Sequence, residues 1–374
     1  MNFFKFFFLS TVGLLLSTNT FVVPKHVETK TKNFSGADGD EVVKKLPLVD
    51  FPLKYRHYSG YLDSIEDIKL HYWFFESQNK PKEDPVVLWL TGGPGCSSLF
   101  GAFGENGPLL IQANGSITEN PFSWNRNASV LYLESPVYTG FSLPTHPDNL
   151  PPNNTDERTV AQNFAALKFF FTVKFPHLTS NPFYITGESY AGRYVPQLSV
   201  ELLGQKFPPN FRGVAIGNGY LTSDSHVNLF AYYHGITDSV NSSEDDFYAL
   251  LSRLHIDQYN ILKEESNVID NHLTDYFNRA DLQRVIHVSL NQGKRWTMCG
   301  GNDHYNAPNG GNVATELKKM VDSGRLKVIL YNGDLDSVCN FVGDQMLIDG
   351  LGYQTATERD AWFDYSGKVG GFGK

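Results

Sequence analysis

Residues 182–196 read PFYITGESYAGRYVP. A run of strand character, Phe183 to Thr186, meets a tight turn around Ser189, and helix-forming sequence begins directly after it. A strand that enters a helix through so short a turn strains the backbone. It also packs strand against helix, so the flanking positions must be small. Gly187, Ala191 and Gly192 supply this. Ala191 stands where a strict G-x-S-x-G pattern has its last glycine, a mild departure. Such a turn lifts a serine hydroxyl above the end of a sheet, where a substrate can reach it. Ser189 is therefore the first candidate functional residue.

The surrounding chain fits that placement. YSGYL (58–62) and KLHYWFFES (69–77) alternate as half-buried strands do. DPVVLWL (84–90) and SVLYLES (129–135) are continuous apolar runs, suited to fully buried strands. Val160, Phe164, Leu167 and Phe171 follow a helical spacing within 158–175. A helix is expected from about 193 to 205, a strand at 211–219 and another at 326–331. Strands alternating with helices imply a parallel sheet covered on both faces. The polar stretch from about 222 to 285 breaks the rhythm and reads as an insertion over the sheet's carboxyl edge. Residues 21–374 then form one domain.

Bulk properties exclude several classes. The 374 residues carry a formal net charge of -9, and no Lys/Arg stripe alternates with aromatics, which argues against a nucleic-acid partner. Lys5 precedes an eleven-residue apolar run, Phe6 to Leu16, followed by Ser17, Thr18, Asn19 and Thr20. That run is too short to span a bilayer, and residues 1–20 read as a secretory signal peptide. No later apolar run reaches spanning length, so no membrane span is expected. Secretion makes the N-x-S/T positions Asn33, Asn114, Asn127, Asn153 and Asn241 glycosylation candidates. Cys96, Cys299 and Cys339 allow one disulfide and leave one thiol, and the residues alone do not choose the pair. No metal cluster or phosphate loop is evident, and no cofactor is expected.

Two more segments carry chemistry. The GGPG loop at 92–95 follows a buried strand, and its amides are free of side chains, as an oxyanion hole requires. The donors are assigned to the amides of Gly93 and of Tyr190, the residue after the serine. LKVILYNGDLDSVCN (326–340) runs from a buried strand into a carboxylate, Asp336. A serine elbow followed by an acid calls for a histidine still further along. The last histidine is His304.

The ordered strings LWLTGGPGCSS, GENGP, FSWN, ITGESYAGRYVP, AIGNG, AYYHG and LYNGDLDSVCNF, spread from about Tyr58 to Gly371, strongly resemble the serine carboxypeptidases. The resemblance implies an α/β-hydrolase fold with a shortened cap insertion. It implies Ser189 as nucleophile, Asp336 and not Asp334 as the acid, and Gly93 and Tyr190 as oxyanion donors. Trp89, Thr91, Gly92, Glu105 and Glu188 match the residues that hold a substrate's terminal carboxylate. Thr91 stands where the family has Asn, which keeps a hydroxyl donor but loses the amide geometry. Cys96 and Cys299 match the family's bridge, and Cys339 its unpaired thiol beside the acid. Peptide or protein C-termini become the expected substrate, in the lysosome or outside the cell, and a homodimer is allowed.

If Glu105 and Glu188 share a site, they cannot both ionise cheaply, and a protonated member can donate to a substrate carboxylate. The family pattern continues past the segment matching KVGGFGK (368–374) with a core strand, a loop carrying the catalytic histidine and a terminal helix. The expectation is that these are missing, that Ser189 lacks its base and that a sheet edge is uncovered. Three functions follow in order: a serine carboxypeptidase; a non-catalytic relative that binds peptides or a partner protein; and an acyltransferase or esterase on the same scaffold.

Overall fold

The computed structural model describes residues 37–146, 152–237, 243–288, 295–364 and 366–373, with the backbone of a short strand β1 (Phe4–Phe7). The core is a long mixed sheet. Its strands are β2 (His57–Asp63), β3 (Ile68–Phe75), β4 (Val86–Leu90), β7 (Ser129–Leu133), β9 (Phe183–Ser189), β10 (Phe211–Gly219) and β11 (Lys327–Tyr331). A separate hairpin, β5 (Leu109–Ile111) with β6 (Ile117–Glu119), and a short strand β8 (Leu143–Pro144) on β3 lie between them. The hairpin β12 (Asp360–Phe363) and β13 (Val369–Gly373) ends the sheet.

Spatial order is β12-β13-β1-β11-β10-β9-β4-β7-β3-β2. From β7 to β1 every neighbour is parallel, while β2, β3 and the β12–β13 hairpin run antiparallel at the two margins. This is an α/β-hydrolase fold, as expected. The strands expected near 58–62, 69–77, 84–90, 129–135, 211–219 and 326–331 all form within a few residues of those limits.

Helices cover the sheet on both faces because its strands are apolar on both sides. Along β4, Leu88 and Leu90 enter one buried cluster and Trp89 the other. Along β3, Tyr72 and Phe74 divide in the same way from Trp73 and Phe75. The first cluster takes α1 (Asp156–Phe169), α2 (Ala191–Gln205) and α7 (Ala314–Asp322). Thr155 caps α1 by accepting from the Arg158 amide, and Asp156 and Glu157 in its first turn suit the positive end of the helix.

The insertion is narrower than the expected span of 222–285. Residues 222–265, with α3 (Val227–Tyr233) and α4 (Glu244–Arg253), lie against the loop after β11 and α8 (Phe341–Asp349). Helices α5 (Val268–Phe277) and α6 (Ala280–Val285) instead bury Leu273, Tyr276, Phe277 and Leu282 with Trp73, Phe103 and Trp296 in the second cluster. They belong to the body of the fold, because their apolar stripe has a sheet-backed partner.

Beyond β11 lies a strand from the segment read as a signal peptide. Phe4–Phe7 pair in parallel with Val328–Tyr331, and Phe7 meets Gly373 of β13. The remainder of the expected signal peptide, residues 1–3 and 8–20, lies outside the described residues, as do Asn33 and Asn241. Asn114, Asn127 and Asn153 are exposed. No helix among the described residues is long and apolar enough to cross a membrane.

Phe170 is fully buried at the end of α1, with Phe74 and Phe175 at ring-centroid distances of 5.2 and 4.6 Å. Phe170→Ala is expected to destabilise the fold by about 3–5 kcal/mol, the cost of emptying so large a core site, read from the midpoint of urea unfolding.

Candidate active site

Four loops meet where the parallel strands end. Gly92 and Gly93 follow β4, Ser189 closes β9, Asn218 and Gly219 close β10, and Asp336 follows β11. Carboxyl ends of parallel strands are where open α/β sheets form their crevices. The elbow is a real conformational strain: Ser189 has φ 55°, in the left-handed region that a side chain disfavours. It is held by Tyr220, whose amide donates to the Ser189 carbonyl at 2.8 Å.

The loop after β4 reaches the elbow because Gly92 has no side chain. A Cβ there would lie 2.2 Å from the Tyr190 amide nitrogen and 2.9 Å from the Ser189 Cβ. Gly93 adopts φ 109°, which only glycine takes without strain. The loop is then anchored behind. Cys96 is bonded to Cys299 across 203 residues of sequence, and the Ser97 amide donates to the Met298 carbonyl at 2.7 Å. The loop is thereby held with Gly92 against the Tyr190 amide and Ser189.

Asp336 is 8% exposed. Its Oδ1 accepts from the amides of Val338 (2.8 Å) and Cys339 (3.3 Å), and its Oδ2 from Asn218 Nδ2 (2.9 Å). Burial nevertheless outweighs these bonds and holds its pKa up at about 6. Asn218 was not singled out from the sequence. Its signal was the polar residue in AIGNG at a strand end, and it also orients the acid loop by accepting from the Gly333 amide at 3.1 Å. Cys339 is free and buried, and its amide donates to Asp336. Burial pushes the Cys339 thiol well above its usual range.

Glu105 and Glu188 are buried beside each other, and Glu105 Oε2 has no hydrogen-bond partner among the described residues. Glu105 comes from a single π-helical turn, Gly101–Glu105, and Glu188 from the last turn of strand before the serine. Burial, with the neighbouring carboxylate adding to it, raises Glu105 far above the carboxylate range. Burial raises Glu188 to about 7. The pair therefore holds a proton through mildly acidic pH. Thr91 continues the chain. Its Oγ1 accepts from Trp89 Nε1 at 3.0 Å, and its amide donates to Ser98 Oγ at 3.1 Å.

Sequence reading also passed over two buried carboxylates that brace this site. Glu134 is fully buried and accepts from Ser97 Oγ, Trp296 Nε1 (2.8 Å), His71 Nδ1 (2.9 Å) and the Phe141 amide (2.9 Å). Asp156 takes four donors, described below. Neither lies in a recognisable motif, because the partners come from separate strands and loops.

The model of the serine carboxypeptidase family matches residues 47–268 and 241–374. This chain belongs to that family. It is 33% identical to the lysosomal protective protein of Mus musculus, over 91% of this chain and 86% of that one. It is likewise 33% identical to serine carboxypeptidase ctsa-4.1 of Caenorhabditis elegans, over 89% and 85% of the two chains. A similar solved structure is KEX1(delta)P, a prohormone-processing carboxypeptidase from Saccharomyces cerevisiae. Its TM-score is 0.72 at 22% identity, over 88% of this chain and 85% of that one, a likeness of fold.

The buried acids make stability depend on pH. An acid raised on folding ionises first in the unfolded chain, so between its two pKa values the unfolded state holds fewer protons. Stability is then greatest below about 4 and falls as pH rises towards 7, through the folded values near 6 for Asp336 and 7 for Glu188. Thermal midpoints should drop from pH 5 to pH 8, and Glu188→Gln should flatten that drop. A midpoint that rises over this range would refute the burial argument.

Proposed function

We propose that this chain is built to remove C-terminal residues from peptides through an acyl-enzyme on Ser189. The observation that supports the reading is the close approach of the Gly92 loop to Ser189 and the Tyr190 amide, with the buried Glu105 and Glu188 at the same end of the sheet; the amides of Gly93 and Tyr190 are read as the oxyanion donors. The serine attacks the last peptide carbonyl. The two amides stabilise the oxyanion that develops. The glutamate pair, holding a proton, donates to the free carboxylate of the terminal residue, whereas two ionised glutamates would repel it. That requirement makes the site an exopeptidase site, since an internal peptide bond offers no carboxylate.

Ser189 still needs a general base. Among the described residues no histidine is hydrogen-bonded to Ser189 or Asp336. His304 packs on Tyr138 with ring centroids 4.2 Å apart, His287 Nδ1 faces the Ser59 carbonyl at 2.9 Å, and His234 Nε2 faces the Asp334 carbonyl at 2.7 Å. This one observation supports a second reading, a protein that holds peptide C-termini without cleaving them.

Residues 1–20 are read as a signal peptide, and the lysosomal name of the mouse relative fits a secretory route. Removal of the leader would take Phe4–Phe7 out of the sheet and leave β11 to another strand.

Treatment with a fluorophosphonate and assay on a blocked dipeptide decide between the readings. The first expects labelling at Ser189 and release of the terminal amino acid, with Ser189→Ala lowering turnover by about a thousandfold or more. It also expects KM to rise as pH passes about 7, where Glu188 loses its proton. Peptide binding that needs a free carboxylate, without labelling or turnover, would establish the second.

A further inference from the structure

We propose that Asp156 is a positioning residue that sets the direction of the Tyr190 amide, and through Tyr305 ties both halves of the oxyanion hole to one buried carboxylate. The inference rests on the acyl-transfer reading above and deepens it.

Asp156 is the first residue of α1 and is 4% exposed. Its Oδ1 accepts from Tyr190 Oη at 2.9 Å and from Tyr305 Oη at 2.8 Å. Its Oδ2 accepts from Arg193 Nε at 2.8 Å and from Gln197 Nε2 at 3.3 Å. Three of these donors stand on the elbow and the helix it opens, at Tyr190, Arg193 and Gln197. The phenol of Tyr190 is thus fixed at its far end, while its ring lies parallel to that of Tyr220 at 5.8 Å. Arg193 also lies over that Tyr220 ring at 6.0 Å. With the side chain held at both tip and face, the backbone of Tyr190 has little rotation left. Its amide is one of the two oxyanion donors, and a donor is useful only when it already points at the place where charge develops.

The fourth donor links the other amide. Tyr305 follows the turn Asn302–His304 that leaves Cys299. That segment is joined to the Gly93 loop by the Cys96–Cys299 bridge and by the Gly301 amide, which donates to the Gly95 carbonyl at 3.1 Å. One carboxylate therefore references the loop that carries Gly93 and the elbow that carries Tyr190. A helix start needs an acceptor for its own amides, but Asp156 spends its oxygens on side chains outside α1. The helix is capped separately, by Thr155. A role confined to helix stability would leave the phenols of Tyr190 and Tyr305 unexplained.

The test uses the full chain with Asp156→Asn, Tyr190→Phe and the double substitution. Three quantities are measured: the rate of Ser189 labelling by a fluorophosphonate, kcat and KM on a blocked dipeptide, and deuterium uptake of amides 187–194. Asp156→Asn should slow labelling and lower kcat by about tenfold to a hundredfold, short of the full loss of one oxyanion donor, with KM within about twofold. Tyr190→Phe should do the same more weakly. The double substitution should be no worse than Asp156→Asn alone, since both cut one connection. Unchanged labelling and kcat in Asp156→Asn, or effects that simply add, would overturn the proposal.

Failure of the reading beneath it looks different. If the unsubstituted chain neither labels nor turns over, the uptake measurement decides. Faster exchange confined to 187–194 in Asp156→Asn supports the positioning role, and unchanged or chain-wide exchange refutes it. Should Asp156→Asn fail to fold, Tyr190→Phe and Tyr305→Phe each remove one donor with the ring retained. The same exchange and labelling criteria then apply to them.

Discussion

The register of four parallel strands sets every distance in the site. Leu90 of β4 stands opposite Gly187 of β9, Gly219 of β10 opposite Ser189, and Gly217 of β10 opposite Tyr331 of β11. Each strand then ends, and each turn that follows starts from a fixed height above the sheet. The Gly92 loop begins two residues beyond Leu90, the serine lies two beyond Gly187, and Asp336 lies five beyond Tyr331. Parallel strands demand long returns on the faces, and the apolar content of β4 and β9 on both sides is what brings helices there. The core and the site therefore have one cause. A register slip of a single residue would turn Trp89 to the wrong face and part Ser189 from Asp336 at the same time.

That geometry carries an electrostatic cost. Three acids, Glu105, Glu188 and Asp336, sit where burial disfavours their charged forms. A fold selected for stability alone would place apolar groups there. On the proposed reading the cost is useful at Glu105 and Glu188, because a carboxylate kept protonated can bind another carboxylate, which water-exposed glutamates cannot do near neutral pH. Asp156 has different surroundings. It is as buried as Asp336, yet an arginine, two phenols and an amide donate to it. Two neighbouring regions of one protein thus surround buried carboxylates differently: burial dominates around Glu105 and Glu188, while four side-chain donors converge on Asp156.

Sequence reading reached the strands, the elbow, the oxyanion loop and the acid because each announces itself locally. Apolar runs mark buried strands, and small residues mark places where backbones approach. Gly92 is legible as a glycine before anything is known of the Tyr190 amide 2.2 Å from where its Cβ would be. The bracing carboxylates were not legible. Glu134 follows a buried strand and Asp156 opens a helix, both ordinary places for an acid, and their partners are distant in sequence. Ser97, Trp296 and His71 meet Glu134 only in three dimensions. The extent of the insertion was misjudged for a related reason. Residues 268–285 are polar enough to read as a surface excursion, and only the packing of Tyr276 and Phe277 against Phe103 shows them to be part of the body.

The narrow insertion also acts as a brace. The Ile261 amide donates to the Leu335 carbonyl at 3.1 Å, and the Ser337 amide donates to the Gln258 carbonyl at 3.0 Å. Tyr248 Oη donates to the Ser337 carbonyl at 3.0 Å, and His234 Nε2 lies 2.7 Å from the Asp334 carbonyl. These bonds fall on residues 334, 335 and 337, on either side of the acid. Asp336 is thus positioned from two directions, by β11 below and by the insertion above, with Asn218 completing the grip. A segment bound to the acid loop by its backbone cannot swing away without moving the acid. Opening of this insertion and disassembly of the site are consequently the same event, which favours a crevice that stays formed between encounters with peptide.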